Sequence, residues 1–546
     1  MSKRTKSEPN NAIPESTSQP SLPTVAPHPF NHSSADITLR TPNRVDFYIH
    51  SPILSQASPV FADMLTLPQP SSVSRGAVAD RPVVDVTEDS RVLERLMRLC
   101  YPIEKEKLDA LEDIVPVLEA AMKYDMKWPI SLLTTDLLAI IPRSPLKVWA
   151  VACRCGLETL ASEAAASILR KAKGQTNSQS SASSSSIPAL TLLRTMLEED
   201  GKQILHGISA ADYFRLREYL RAGGATATTK LLSPSAPLPA CEPCLPIPTI
   251  PQFPPSDIIL RSPDGTENRV HTLLLMLHSP ILGKRIRTFN AASSQSPDAQ
   301  GTDTCNDPLP TLEVDIDSLT LSTWLAALYR GNSYQLPSDL SSLGSMLVMA
   351  RRFGMEQLAE AAEGRWHTLA ASSPLEAYFV ASKLELTDFM KSAARKALEG
   401  SIAGAYVPAM ESNTALAYHR LLEYYRTCAS TIDARMKTAV TSWNMDLTQN
   451  PGYSYSSSYC SRRLQDPTYV TNTYLSGLAT GMDTDSPGKG CSFDLALPAL
   501  LRQSSSVWPS CNAAACKCYV ENLMKISAEL PQVLADAITE VQLEIE

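Results

Sequence analysis

No run of about eighteen or more consecutive apolar residues occurs in this 546-residue chain, so no segment reads as a membrane span. The first twenty residues carry basic charges but no apolar stretch behind them, so they do not read as a secretory leader. The chain is therefore expected to be soluble and intracellular, cytoplasmic and/or nuclear. Lys3-Arg-Thr-Lys6 is too short to assign a nuclear-import signal and reads as a solvated terminus. Positive charge is in short supply: 49 Lys and Arg against 57 Asp and Glu leave a net charge of −8, which argues against a dedicated nucleic-acid binder.

Enzyme signatures are missing as well. There is no GxGxxG, no GxxxxGK followed by Ser or Thr, no GxSxG and no HExxH. Gly481 to Gly490 holds a glycine–lysine pair with neither the gap nor the hydroxyl of a phosphate loop. The eight histidines stand in unrelated contexts, so no triad can be assembled by spacing. We expect a non-enzyme with no catalytic, cofactor-binding or metal residues and no cofactor.

Cysteine spacing is irregular and gives no disulfide framework. Cys241-Glu-Pro-Cys244 has the spacing of half a zinc site, without a second pair nearby. Cys153 and Cys155 share a helix and read as plain. Cys511, Cys516 and Cys518, with Cys460 and Cys491 upstream, form the best thiolate cluster, and their spacing leaves zinc binding and reduced structural cysteines both open.

What the chain has is enough apolar sequence to fold, 44% of residues against 19% charged. Polar and proline-rich tracts divide it. Residues 1–34 read as a disordered arm, 174–187 as a Ser-rich insertion, and 233–256, with nine prolines, as an extended spacer. Across that spacer the sequence repeats itself. Asp36-Ile-Thr-Leu-Arg-Thr-Pro returns as Asp257-Ile-Ile-Leu-Arg-Ser-Pro, and His50 returns as His271, both 221 residues on. Ser144-Pro-Leu-Lys-Val-Trp returns as Ser373-Pro-Leu-Glu-Ala-Tyr at 229, and Tyr213-Phe-Arg-Leu-Arg-Glu-Tyr as Tyr418-His-Arg-Leu-Leu-Glu-Tyr at 205. Matches in one order imply two copies of a module of about 190 residues rather than a solenoid of short units.

Each copy shows an order of elements. Ile37 and Leu39, then Val45, Phe47 and Ile49, alternate with polar residues and predict a hairpin turning at Thr41 to Arg44, or at Ser262 to Gly265 in the second copy. A short helix follows, with Ile53, Leu54, Ala57 and Phe61. Val83, Val84 and Val86, matched by Leu312, Val314 and Ile316, predict a third strand. Next comes a helix with Val92, Leu96 and Leu99 on one face, and another with Leu108, Leu111, Val115, Leu118 and Met122. His50 and His271 follow a strand, and Asp36 and Asp257 are the nearest recurring acids. A buried His–carboxylate hydrogen bond at that corner is expected, with a pocket for a partner's charge as the functional alternative.

These residues resemble the BTB/POZ family. The likeness lies in Asp36-Ile-Thr-Leu, in Val45-Asp-Phe-Tyr-Ile-His50-Ser-Pro-Ile-Leu through Phe61, and in Val84-Asp-Val-Thr-Glu-Asp-Ser with Leu96-Met-Arg-Leu-Cys-Tyr101. Ala121-Met-Lys-Tyr-Asp-Met126, Ala350-Arg-Arg-Phe-Gly-Met355 and the closing Glu540-Val-Gln-Leu-Glu-Ile545 are similar to those of BTB proteins in mushroom-type fungi. The resemblance implies an α+β fold: two BTB/POZ-like modules, each a small three-stranded sheet wrapped by helices and followed by an all-helical extension. The expected map is an arm (1–34), a first module (35–141) and its extension (142–222), then a Pro-rich linker (223–256). A second, divergent module (257–370), its extension (371–440), a polar irregular segment (441–512) and C-terminal helices (513–546) follow.

The resemblance implies protein partners, without direct nucleic-acid or membrane contact, and a scaffold or adaptor role. No helical pattern precedes Asp36 or Asp257, so intramolecular packing of the two modules is expected in place of the family's usual homodimer, in which a helix before the first strand is exchanged between chains. A cullin-type ligase adaptor is the alternative, although the loop from Pro70 to Ala77 has no apolar–acidic anchor. A transcriptional co-regulator acting through a DNA-binding partner is another.

Overall fold

The structure, a computed structural model, describes residues 23–67, 81–174, 188–224, 230–232, 255–293, 309–331, 334–448 and 528–545. Two compact units divide the chain, Met1–Cys155 and Gly156–Glu546. The cysteine clusters at 241–244 and 460–518, the loop from Pro70 to Ala77 and the Ser-rich insertion from 175 onward lie outside the described residues.

The first unit is built on a sheet in which β1 (Thr24–Val25), β2 (Ile37–Arg40), β3 (Val45–Ile49) and β4 (Val83–Asp85) take the order β1-β3-β2-β4. The hairpin pairs Ile37 with Ile49 and Arg40 with Asp46, as the alternation predicts. Ile37, Leu39, Phe47 and Ile49 all point into the core and are essentially fully buried. Arg40 closes the open end with two bonds to the Asp46 carboxylate, 2.7 and 2.9 Å. The turn needs a left-handed residue: Arg44 adopts φ 57°, and the corresponding position in the second hairpin is Gly265 at φ 83°. Around the sheet lie α1 (Ser51–Ala57), α2 (Pro59–Thr66), α3 (Ser90–Cys100), α4 (Leu111–Lys123), α5 (Lys127–Ile140) and α6 (Pro145–Arg154).

Two expectations are corrected here. Residues 23–34 are not a loose arm. β1 pairs parallel with β3, Thr24 opposite Val45, and Tyr48 N–H donates to the Phe30 carbonyl. Phe30 is fully buried, its ring 5.6 Å from that of Phe47 and 5.5 Å from that of Tyr101. A two-residue strand among prolines has no periodicity to read, and one aromatic supplies its large buried side chain. In α4 the buried face is Ile114, Val117, Leu118 and Ala121, whereas Leu111, Val115 and Met122 are only partly covered. Apolar residues occupy two adjacent rows of that helix, and the sequence alone does not rank them.

The second unit opens with α7 (Glu158–Gly174), α8 (Ala189–Asp200) and α9 (Ala210–Arg221). The Glu158 carboxylate accepts the N–H groups of Leu231 and Leu232 at 2.8 and 2.9 Å, pinning the chain beyond α9. A three-stranded sheet follows, β5 (Ile258–Arg261), β6 (Glu267–Val270) and β7 (Thr311–Glu313), in the order β6-β5-β7. Its hairpin register, Ile258 with Val270 and Arg261 with Glu267, falls 221 positions after that of the first hairpin, and β7 runs parallel to β5 as β4 does to β2. Helices α10 (Thr272–His278), α11 (Pro280–Ser293), α12 (Ser318–Arg330) and α13 (Leu340–Arg352) enclose a core of Leu260, Val270, Leu275, Leu282, Trp324 and Phe353. Then come α14 (Glu356–Ser372), α15 (Pro374–Lys383), α16 (Thr387–Ala397) and α17 (Ala415–Thr448), the last running past the expected end at 440. Among the described residues of the C-terminal segment, 528–540 are helical.

Phe30→Ala is expected to destabilise the first unit by about 3–5 kcal/mol. Hydrogen exchange reads the effect locally: the Tyr48 amide should lose its protection well before amides of α4.

Candidate functional site

At the corner where β3 turns into α1, the bend leaves helix-starting N–H groups without intrahelical partners. The His50 N–H donates to Tyr101 Oη at 2.9 Å, and His50 Nδ1 lies 3.1 Å from the same oxygen. Contrary to the expected His–carboxylate bond, Asp36 does not pair with His50 but caps α1: its carboxylate accepts Ser51 N–H at 2.7 Å and Ser51 Oγ–H at 2.5 Å. The second sheet repeats the arrangement. His271 N–H donates to Tyr329 Oη at 3.0 Å, His271 Nδ1 is 2.8 Å from it, and Asp257 accepts Thr272 N–H at 2.6 Å. A carboxylate gains more from an orphan backbone donor at a helix start than from a neutral imidazole. Burial raises the phenol pKa of both Tyr101 and Tyr329, keeping them donors.

His50 Nε2 lies 2.8 Å from Ser34 Oγ, and Ser34 Oγ is 2.6 Å from His32 Nδ1, contacts that tie the N-terminal segment to the corner.

Further inside, Ser58 and Ser279, both fully buried, start α2 and α11. Their hydroxyls donate to the carbonyls of Tyr124 and Phe353, each at 2.6 Å. Among the described residues no group of three or more His, Cys, Asp or Glu is placed to hold a metal ion. Burial pushes the thiols of Cys100, Cys155 and Cys428 up to about 11, so they stay protonated and inert at neutral pH.

The surface is apolar in places. In the first unit Val60, Leu67 and Trp128 stand exposed; in the second Leu273 and Leu277, about three-quarters exposed, lie one turn apart on α10, and Ile281 stands exposed on α11 beyond the break at Ser279. Large aliphatic side chains turned to solvent along one helix face are the feature that a partner would cover, and periodicity alone gave no sign that they point outward.

Within the second unit α9 and α17 meet about a local two-fold axis that the sequence repeat did not announce. Ala210 N–H donates to the Asn413 carbonyl at 2.7 Å and Ala415 N–H to the Ile208 carbonyl at 2.8 Å, the second bond being the first moved by 205 positions. Ser209 and Thr414 form the bridge between them and cap the two helices. Tyr213 and Tyr418 pack edge to face at 5.8 Å. Phe214 then sits against Tyr418 as His419 sits against Tyr213, both rings 6.2 Å away. The flanking arginines part company: Arg215 pairs with Asp212 and Glu411, while Arg420 donates to the Ile545 carbonyl at 2.8 Å and holds the C-terminal segment.

His419 thus occupies a place built for a phenyl ring. Burial lowers its pKa to about 4, with Lys202, Arg426 and Arg217 adding to the effect and Glu423 opposing it. The folded chain therefore binds fewer protons here than the unfolded one, whose histidine titrates near 6.5. Its stability is complete above about pH 6.5 and falls as the pH drops toward 4. His419→Phe should flatten that part of the profile, as urea denaturation between pH 7 and 4.5 will show.

Compared with known proteins, residues 28–140 match the BTB/POZ domain family. No curated protein matches the chain. The match opens seven residues before the expected boundary at 35, in agreement with the packing of Phe30, and closes at the end of α5. Residues 28–140 are a BTB/POZ domain.

Proposed function

We propose that the chain is a non-catalytic protein–protein interaction scaffold or adaptor in which the unit over 257–370 is a diverged second BTB/POZ module. BTB/POZ domains generally mediate protein–protein contact, and the domain at 28–140 carries that function here. The observation that carries the tandem reading is the recurrence of the strand–helix corner: the same amide–tyrosine bond, carboxylate cap and buried serine stand at His50, Asp36 and Ser58 and again at His271, Asp257 and Ser279. The paired helices α9 and α17 support a tandem protein of the type the sequence resembles in mushroom-type fungi, with copies that associate within one chain. No helix among the described residues is long and apolar enough to cross a membrane, which is compatible with an intracellular adaptor.

The exposed apolar residues are where we place partner contacts. Two double variants, Val60→Glu with Leu67→Glu and Leu273→Glu with Leu277→Glu, should each keep the native circular dichroism while losing at least about tenfold in recovery of a subset of partners. Quantitative mass spectrometry of tagged chains from the native cell makes the comparison. Unchanged partner sets in both variants refute the assignment. Stoichiometric cullin in the eluate would favour the ligase-adaptor alternative, and enrichment with a DNA-binding protein in nuclei the co-regulator alternative.

A further inference from the structure

Beyond the helix over 528–540, buried and exposed residues alternate: Val541 and Leu543 are buried, Gln542 and Glu544 exposed. That period is a strand's, and it turns successive side chains to opposite sides. Among the described residues, the main chain of 541–545 makes its hydrogen bonds only at its ends, from Val541 N–H to the Ile538 carbonyl and from Arg420 to the Ile545 carbonyl. The N–H groups of 542–545 and the carbonyls of 541–544 have no partner there. An unpaired strand flank is a template for another strand.

A cavity of about 590 Å³ adjoins this run, lined by Lys391 and Arg395 of α16, Tyr424 of α17 and every residue of 541–545. Because neighbouring side chains of the run point opposite ways, a cavity that touches all of them lies beside its backbone, where the N–H and C=O groups point. Its sign is positive. Lys391 and Arg395 stand one turn apart on one face of α16, both exposed, and neither forms an ion pair with a described carboxylate. Lys396 on the same helix is already paired with Glu399 at 2.7 Å. The one carboxylate in the lining, Glu544, is held by Lys202 at 3.1 Å.

We propose that the groove between α16 and residues 541–545 is a docking site for an extended, acidic segment of a partner protein, which pairs along that run and sets its carboxylates against Lys391 and Arg395. Main-chain bonds then give affinity and the two cations give selectivity. Charge picks the occupant. Residues 449–527, which lead into the C-terminal helix, hold six Lys and Arg against five Asp and Glu and bring no excess of negative charge. Residues 294–308 do, through Asp298, Asp303 and Asp307, and the test separates them from a partner. The inference goes beyond the scaffold reading. It needs only the helices after the second sheet and the C-terminal segment, so it holds or fails apart from the tandem assignment.

The test uses the full chain and fluorescein-labelled peptides followed by anisotropy: a short peptide of alternating glutamate and valine, its glutamine counterpart, and the glutamate peptide with methylated main-chain nitrogens. The glutamate peptide should bind with a Kd on the order of 100 µM. The other two should bind at least about tenfold more weakly, one for want of charge and one for want of donors. Lys391→Glu, a change at an exposed position, should weaken binding about tenfold at an unchanged melting temperature, whereas Lys391→Arg should keep it. No binding of the glutamate peptide at about 1 mM, or equal affinity for the parent chain and Lys391→Glu, overturns the proposal. Equal affinity of the methylated peptide, or displacement by about 1 mM inorganic phosphate, assigns the cations to a small anion and overturns it as well. So does binding that appears only after Asp298, Asp303 and Asp307 are replaced by Asn, since the chain's own acidic segment is then the occupant.

Discussion

A backbone N–H that must be satisfied as a strand bends into a helix organises both sheets. Left unpaired in the interior, it would cost about 1–3 kcal/mol. The solution is a tyrosine from the far end of a later helix, Tyr101 on the residue after α3 and Tyr329 at the end of α12, whose hydroxyl reaches back to His50 or His271. That single oxygen joins the third helix of the wrap to the hairpin. The neighbouring aspartate ties the first strand to the same corner, and a buried serine one helix later ties it to α4 or α13. Three polar contacts, each satisfying a main-chain group, thus fix the orientation of helices whose apolar faces alone would allow several packings.

The parts of the fold that the sequence made legible are those with a period. Hairpin residues Ile37, Leu39, Phe47 and Ile49 alternate, and all four are buried in that register. The chemistry at the corner was harder to read. An acid near a histidine suggests a pair, yet Asp36 serves a helix start, because orphan amides outnumber imidazoles as demanding partners there. The N-terminal segment leaves no such period, because one buried ring, three strand-edge main-chain bonds and the Ser34–His50 contact hold it, none of which makes a pattern in the sequence. In α4, two neighbouring rows are apolar, and only the sheet decides which one faces inward.

Divergence between the matching halves has a common theme: a polar side chain where the other half keeps an aromatic. His419 stands for Phe214 and Asn268 for Phe47. Each is buried, and each carries a desolvation cost that its aromatic counterpart avoids. At His419 the cost appears as sensitivity to acid. At Asn268 it appears as a side-chain Nδ2 without a hydrogen-bond partner, on the edge strand β6.

The pairing of α9 with α17 has a consequence for biosynthesis. Ile208 and Ala210 bond to residues some two hundred positions later. At a translation rate of about 5–20 residues per second, α9 emerges roughly 10–40 s before the helix that covers Tyr213 and Phe214. All four strands of the first sheet lie between Thr24 and Asp85, so that sheet has its full set long before α17 is made. The exposed aromatic face of α9 meanwhile awaits its counterpart, so the nascent chain passes through a stage at which chaperones have a defined target.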